Sequence, residues 1–323
     1  MNKKPKSTYR VLNWHDYNTA LVKRGEFDLW IDQETLEQWR AKPTGKPGRP
    51  RAYSDQAIQS IILLKIVFAL PYRAVTGLVA SIFRMAGVAL PVPDYTRLSR
   101  RLGSLSVDLP HLSTPNEPLV IAIDSTGFKI YGDGEWKVRM HGAGKRRTWW
   151  KCHVAIDVGT LRIVAVESTP SNVQDCEVVD ELLKQIPNPL EAAAFDGAYD
   201  TAATFSKLEE RECRPLIPPR ENAVLWREEI QGMPNPGAAL RNAILDAIDK
   251  LGLEGWKEES GYHCRSLVEN TMYRLKQLFG GRLFSRRKEG DTMYNEVRLR
   301  AYALNVMTSL GMPYSLSSQA QAA

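Results

Sequence analysis

After residue 118 the chain changes from segments with helical spacing to short apolar runs typical of buried strands. The first run is Leu119-Val-Ile-Ala-Ile-Asp124. Two more, residues 150–157 and 161–167, are separated by a Val-Gly-Thr turn and predict a hairpin. Helical and strand-like segments then alternate up to a helix without a breaker over residues 262–279. This order predicts an α/β domain with a mixed sheet flanked by helices, a pattern that several α/β folds share.

Basic residues concentrate before this region. Residues 1–115 carry 17 Lys or Arg and 9 Asp or Glu, a net charge of +8. The remaining residues carry 26 Lys or Arg and 28 Asp or Glu, a net charge of −2. A basic first third on a near-neutral remainder indicates a nucleic-acid-binding part joined to another domain.

Three helical segments are predicted between residues 54 and 103. Ser54 can cap the first, and Gly87 closes the second. The second segment has apolar residues about one turn apart, at Ala74, Leu78, Ile82 and Met85. The third is short and basic. A short helix, a turn and a basic helix are the layout of an all-α helix-turn-helix domain, in which Arg97, Arg100 and Arg101 are the predicted DNA contacts. The alternative is a helical bundle with a solvated basic last helix.

A linker is predicted at residues 42–51, which are rich in Pro, Gly and basic residues. Arg49 and Arg51 can lie extended in a DNA minor groove, and a solvated linker is the alternative.

The chain has the features of a soluble cytoplasmic protein without a membrane partner. Its four cysteines are scattered and include no Cys-x-x-Cys pair, as expected of reduced thiols. The polar, lysine-containing start does not fit a signal peptide. The apolar run at residues 58–70 is interrupted by Lys65 and is too short for a membrane span.

Three carboxylates are the candidates for chemistry. Asp124 and Asp196 each end a predicted strand, and side chains that leave a sheet at strand ends gather functional groups. Glu269 lies in the last predicted helix, where spacings of three, four and seven residues bring Tyr262, Arg265, Glu269, Met272, Tyr273 and Lys276 to one face. Each aspartate alone is better explained as a turn residue or helix cap than as a ligand, and spacing alone favours a solvated ion pair for Arg265 and Glu269.

Carboxylates on three separate elements suit phosphodiester chemistry with magnesium. Mg²⁺ prefers hard oxygen ligands, and two such ions activate a water or a 3′-hydroxyl and stabilise the leaving oxygen. Arg265 and Lys276 can then hold phosphates.

The spacing Tyr262-x2-Arg265-x3-Glu269-x6-Lys276 matches the Tyr–Arg–Glu–Lys signature of bacterial insertion-sequence DDE transposases in the insertion-sequence-four-like superfamily. More closely, the chain resembles the insertion sequence five family in its nine-oh-three branch. The likeness runs from about residue 9 to residue 313. It includes the stretches Gly48-Arg-Pro-Arg51, Asp94-Tyr-Thr-Arg-Leu-Ser-Arg-Arg101, Ile123-Asp-Ser-Thr-Gly127, Gly134-Glu-Trp-Lys-Val138, Asp196-Gly-Ala-Tyr-Asp200, Leu216-Ile-Pro-Pro-Arg220 and Glu269-Asn-Thr-Met-Tyr-Arg-Leu-Lys-Gln-Leu-Phe-Gly-Gly281.

The resemblance implies a ribonuclease-H-like catalytic domain and a divalent metal, two Mg²⁺ for which Mn²⁺ can substitute, held by the triad Asp124, Asp196 and Glu269. It also implies cleavage and transfer of DNA strands at the terminal inverted repeats of a mobile element. The predicted division is a helical or mixed element at 1–45, the helix-turn-helix domain at 46–115, the catalytic domain at 116–220 and 259–313, a mostly helical insertion at 221–258 and a tail at 314–323.

Double-stranded DNA, as element ends and target, is the predicted partner. Because two inverted ends must be processed and each chain has one triad, a homodimer is expected in the DNA complex. Two alternative functions share these motifs: a ribonuclease-H-like nuclease or resolvase without strand transfer, and a domesticated DNA-binding regulator.

Further basic and aromatic residues are candidate DNA contacts. Lys145, Arg146 and Arg147 precede Trp149 and Trp150, which suits a DNA backbone or a charged hairpin tip. Arg286 and Arg287 can form a second phosphate patch or a solvated loop. Trp226 and Trp256 in the insertion are explained better by core packing than by binding of a flipped base.

Overall fold

The computed structural model describes residues 9–43, 45, 50–109, 116–131, 148–285 and 291–317. The chain forms two compact units, of which one comprises residues 1–98 with 303–323 and the other residues 99–302. The predicted domain boundaries stay a prediction.

The first unit is mostly helical. Its described helices are α1 (Trp14–Lys23), α2 (Gln33–Glu37), α3 (Asp55–Val67), α4 (Tyr72–Met85) and the start of α5 (Tyr95–Arg101). The strand β1 (Tyr9–Val11) pairs antiparallel with residues 315–317 near the other end of the chain. Ser54 caps α3 as expected, because its hydroxyl accepts a 3.0 Å hydrogen bond from the backbone N–H of Ala57.

The packing face of α4 differs from the expected one. Val75, Val79 and Phe83 are buried, whereas Met85 is 76% exposed and Leu78 is 38% exposed. Both apolar rows repeat once per turn, so spacing alone does not tell which one faces the core. The choice follows from tertiary packing, because the ring of Phe83 lies 5.0 Å from that of the buried Trp39.

Among the described helices, none is by itself both long and apolar enough to cross a membrane. Only α3 and α4 together pass such a test of length and composition, and a bend of 112° separates them.

The second unit contains a five-stranded mixed sheet, as predicted. Its strands are β2 (Leu119–Tyr131), β3 (Thr148–Asp157), β4 (Ile163–Pro170), β5 (Leu190–Ala194) and β6 (Arg214–Leu216). They lie in the order β4-β3-β2-β5-β6, with β2, β3 and β4 antiparallel and β5 and β6 parallel to β2. The hairpin predicted from the Val-Gly-Thr turn is the β3–β4 pair.

Helices flank this sheet. They are α6 (Val179–Lys184), α7 (Ala202–Glu210), α8 (Ala238–Ser260), α9 (Ser266–Phe279) and α10 (Thr292–Leu310), of which the last begins in this unit. A two-residue hairpin of β7 (Glu229–Ile230) and β8 (Met233–Pro234) precedes α8, and β9 (Ser315–Ser317) is the partner of β1. Apolar residues of β2 and β5 are buried with those of α6, α7 and α8, among them Ile121, Ala193, Leu182, Phe205 and Trp256.

Two expectations about local structure were wrong. Asp124 does not end its strand, because antiparallel pairing with β3 extends β2 as far as Tyr131. The helix expected over residues 262–279 starts only at Ser266. Residues 262–265 form a tighter 3₁₀ turn after Gly261, which has a positive φ of 77° and whose carbonyl accepts a bond from the Cys264 N–H.

Candidate active site

The strand register aligns Asp124 with Asp196. In the parallel β2–β5 pair, Ala122 lies opposite Ala194, and each aspartate follows two residues later on its chain. Because side chains two residues apart in an extended chain point to the same face, both carboxylates leave the sheet at one level. The strand β5 ends at Ala194, opposite Ala122, so Asp124 lies in the part of β2 that has no parallel neighbour in β5.

Local hydrogen bonds orient both aspartates. The Oδ1 atom of Asp124 accepts a 2.7 Å bond from the Ser125 N–H. The Oδ1 atom of Asp196 accepts a 2.9 Å bond from the Ala198 N–H and caps a 3₁₀ turn over Gly197–Tyr199. Each aspartate therefore keeps its Oδ2 atom for other contacts.

Arg265 brings the three predicted carboxylates together. Its Nη2 atom lies 2.9 Å from Oδ2 of Asp124 and 4.0 Å from Oδ2 of Asp196, and its Nη1 atom lies 2.6 Å from Oε1 of Glu269. The exposed fraction of the side chain is 16% for Asp124, 39% for Asp196 and 56% for Glu269. One guanidinium thus joins β2, the turn after β5, and α9.

The charges at this site are coupled. Burial raises the pKa of Asp124, while the Ser125 N–H and Arg265 lower it and the neighbouring carboxylates Asp196 and Glu269 raise it further. Burial lowers the pKa of Arg265, but the carboxylates outweigh burial and its pKa is raised. Three carboxylates around one cation leave an excess of negative charge, which favours binding of a further cation.

Within the residues that the structure describes, no group of three or more His, Cys, Asp or Glu side chains is arranged closely enough to hold a metal ion. The donor set nevertheless suits a hard divalent cation, since it consists of carboxylate oxygens on β2, on the turn after β5 and on α9. Arg265 lies within 4.0 Å of one oxygen atom of each of the three carboxylates.

Of the other two residues of the Tyr–Arg–Glu–Lys spacing, Tyr262 lies next to Arg265 and the triad. Tyr262 is half-buried, its ring lies 5.6 Å from that of Trp256, and burial raises its pKa. Lys276 is half-buried on α9 and, among the described residues, has no hydrogen bond or ion pair with the triad. The ring contact with Trp256 fixes Tyr262 against the end of α8.

A second network next to Asp124 was not expected from the sequence. Asp175 accepts a 2.9 Å bond from the Ser125 hydroxyl at Oδ2 and a 2.9 Å bond from Nζ of Lys151 at Oδ1. The buried His153 bonds to Thr169 at 2.9 Å, and burial lowers its pKa to about 4, which keeps the ring neutral. Asp175 and Ser125 are 50 residues apart in the sequence, so no local spacing predicts their contact.

A buried ion pair joins α8 to the residue that follows the turn capped by Asp196. Arg241 on α8 donates to Asp200 through Nε at 2.6 Å and through Nη2 at 3.1 Å, and both side chains are at most 5% exposed. The same guanidinium lies 4.2 Å from the centroid of the Trp226 ring, which contacts Phe205 edge-on at 5.6 Å. One face of Trp226 is therefore covered, and Trp256 is 5% exposed, which supports core packing for both.

The predicted DNA contacts of the N-terminal region differ in exposure. Arg97 lies 5.3 Å from the centroid of the Tyr53 ring, Arg100 is exposed and Arg101 is half-buried. The Arg51 side chain is 54% exposed and lies 3.4 Å from Asp55. The remaining candidates fall outside the described residues: Arg49, Lys145, Arg146, Arg147, Arg286 and Arg287.

Two protein-family models match the chain. Both are described as a transposase DDE domain, and they match residues 22–133 and residues 115–306. The second match alone spans more than half of the chain.

The chain is similar to a solved structure, the cryo-EM structure of a piggyBac transposase synaptic complex with hairpin DNA. The match covers 94% of this chain and 77% of that chain. The sequence identity is 11% and the TM-score is 0.37, so this likeness supports no conclusion about the chain.

Proposed function

The chain belongs to the family of transposases with a DDE domain, and from that premise we propose that it is an active DNA transposase of an insertion sequence. It binds the terminal inverted repeats of the element and catalyses strand cleavage and strand transfer with Asp124, Asp196 and Glu269. Its motifs favour a bacterial element of the insertion sequence five family.

The contact of one guanidinium with three carboxylates from different elements carries this proposal. Three carboxylates around one arginine leave an excess of negative charge, which fits a site for cations. The order of the sheet, with three antiparallel strands followed by two parallel ones, supports a ribonuclease-H-like core.

Asp124, Asp196 and Glu269 would hold the divalent cations, which we propose to be two Mg²⁺ replaceable by Mn²⁺. When bound, such ions activate the attacking water or 3′-hydroxyl and stabilise the leaving oxygen. Arg265, released from its ion pairs, turns its guanidinium to a non-bridging oxygen of the scissile phosphate, and Lys276 binds a neighbouring phosphate. Ser125 and Ala198 keep the two aspartates oriented throughout through their backbone N–H groups.

Cleavage and joining use the same carboxylates in succession. In cleavage, water forms a bond to phosphorus and the P–O3′ bond breaks, which leaves a free 3′-hydroxyl on the element. In transfer, that hydroxyl attacks a phosphodiester of the target and displaces the 3′ oxygen of the target strand. Both steps conserve charge and need no oxidant or reductant.

The basic N-terminal region is the proposed reader of the element's ends. We assign it a helix-turn-helix fold with Arg97 and Arg100 toward the DNA, since Arg100 is exposed and Arg97, half-buried against the Tyr53 ring, lies on the same short helix. Two chains act together on two ends, as a homodimer in the DNA complex. We propose that the protein works in the cytoplasm.

The test combines purified protein, Mg²⁺ and DNA that carries the two ends of the encoding element, with products separated on a gel. Joined products together with 3′-hydroxyl cleavage products are expected. Cleavage without joining would identify a nuclease or resolvase, and end binding without cleavage would identify a regulator. Either result would overturn the proposal.

A further inference from the structure

The helix α9 has an exposed face that continues from Glu269. Its buried residues face the sheet and are Val268, Thr271, Met272, Leu275 and Phe279. On the opposite side Asn270, Tyr273 and Gln277 are exposed together with Glu269. Tyr273 is the large side chain of this face and is 64% exposed.

Tyr273 lies one helical turn beyond Glu269. Residues four apart on a helix lie on the same side, and the rise of 1.5 Å per residue places Tyr273 about 6 Å farther along the axis. Because the nucleotides of one strand in duplex DNA are about 3.4 Å apart, this distance corresponds to roughly two nucleotides. DNA with a phosphate at Glu269 therefore brings its neighbouring bases within reach of Tyr273.

The chemistry of this face fits bases better than phosphates. Asn270 and Gln277 carry neutral amides that both donate and accept hydrogen bonds, and they flank a solvent-exposed ring. The proposed phosphate-binding groups are both half-buried, Arg265 in the turn that precedes α9 and Lys276 within α9. The arrangement thus offers cations for the backbone and an aromatic ring for a base.

From this face we propose a base-stacking site, in which the Tyr273 ring stacks on an unpaired base within about two nucleotides of the scissile phosphate. The inference rests on the proposed function, because it needs DNA bound at the triad. The ring holds the DNA strand in line for attack, and it discriminates little between bases, since every base has a π-face.

The experiment uses the full chain and DNA that carries the element's ends. A set of duplexes has a single abasic site at each of the first three nucleotides on either side of the cut. For wild type, an abasic site at the stacked position should lower kcat/KM about 5- to 150-fold. Tyr273→Ala should show the same loss on intact DNA and no further loss at that one abasic position, whereas Tyr273→Phe should keep wild-type rates.

A second measurement does not depend on cleavage. In metal-free buffer, 2-aminopurine at the stacked position should be quenched by wild type and by Tyr273→Phe, but not by Tyr273→Ala. Tyr314 provides the matched control, because it is 59% exposed in the other compact unit and Tyr314→Ala should leave both readouts unchanged.

Two outcomes would overturn the inference. One is a Tyr273→Ala variant with wild-type rates and wild-type quenching. The other is a Tyr273→Ala variant that cuts more slowly than wild type on every abasic duplex, which would place the ring against a second protein chain. Failure of the proposed function looks different, since wild-type protein then cuts no DNA while the fluorescence measurement still reports on stacking.

Discussion

Arg265 and Asp124 lie 141 residues apart in the sequence, yet the arginine Nη2 donates a 2.9 Å hydrogen bond to the aspartate Oδ2. The other terminal nitrogen of Arg265 holds Glu269 at 2.6 Å. Arg265 therefore pairs with two of the three carboxylates, and we expect a divalent cation bound there to compete with it for these oxygens.

The carboxylates should be required for cutting but not for end binding. Asp124→Ala, Asp196→Ala and Glu269→Ala should each reduce cleavage below detection. The affinity for the element's ends should stay within about threefold of the wild-type value, which corresponds to a change of about 0.7 kcal/mol in binding free energy. Gel-based cleavage and fluorescence anisotropy measure the two properties. Near-normal cutting by any one variant would sink the assignment of the triad.

Arg265 should have opposite effects on metal binding and on catalysis. Arg265→Gln removes the competing cation, so Mn²⁺ should bind the protein without DNA about fivefold more tightly, as expected for loss of an ion pair of about 1 kcal/mol. Cleavage should nevertheless fall, because the phosphate loses its guanidinium. Calorimetric titration with Mn²⁺ measures the first effect, and weaker binding of Mn²⁺ by the variant would contradict the competition.

The Arg241–Asp200 pair should contribute far more to stability than an exposed pair. Arg241→Met leaves the Asp200 carboxylate buried without its partner, which should lower the free energy of unfolding by about 3–5 kcal/mol. Lys207→Met, which breaks the exposed pairs with Glu210 and Asp180, should lower the free energy of unfolding far less. Urea unfolding of both variants tests this prediction, and equal losses would mean that burial does not set the difference.

The same pair also fixes the turn that Asp196 caps. Asp200 accepts a 3.1 Å bond from the Arg220 N–H, so its carboxylate links the segments that follow β5 and β6 to α8. Such a link is invisible in the sequence, because Asp200 and Arg241 are 41 residues apart and each alone has the appearance of a surface residue. Lys151 and Asp175 are a second example, since tertiary structure alone brings them together.

Local patterns gave reliable predictions where the cause was local. The Ser54 cap, the β3–β4 turn and the Arg265–Glu269 pair each depend on residues at most a few positions apart. Features set by neighbouring strands or by packing were missed, as in the length of β2, which depends on β3, and the buried face of α4, which depends on Trp39.

Arginines of α5 should affect end recognition in two different ways. If Arg100 contacts a base edge, Arg100→Ala should cost about 1–3 kcal/mol and relax specificity at one position, whereas a phosphate contact weakens all sequences alike. Competition binding with single-position variants of the end sequence separates the two. Arg227, exposed in the insertion, is the control, and equal effects of Arg100→Ala and Arg227→Ala would contradict a role of α5 in recognition.

Catalysis should require two chains, because each chain supplies one triad and two inverted ends must be joined to one target. A two-fold arrangement places each triad either on the end that its own N-terminal region holds or on the end held by its partner.

The two cases give different products in a mixture of wild-type protein with Glu269→Ala protein whose α5 is altered to read another end sequence. On DNA with one end of each kind, cutting at the end bound by the inactive chain indicates catalysis in trans, and cutting only at the wild-type end indicates catalysis in cis. We expect catalysis in trans, since it blocks cleavage until both ends are paired. A paired-end complex with the mass of a single chain would rule out the dimer.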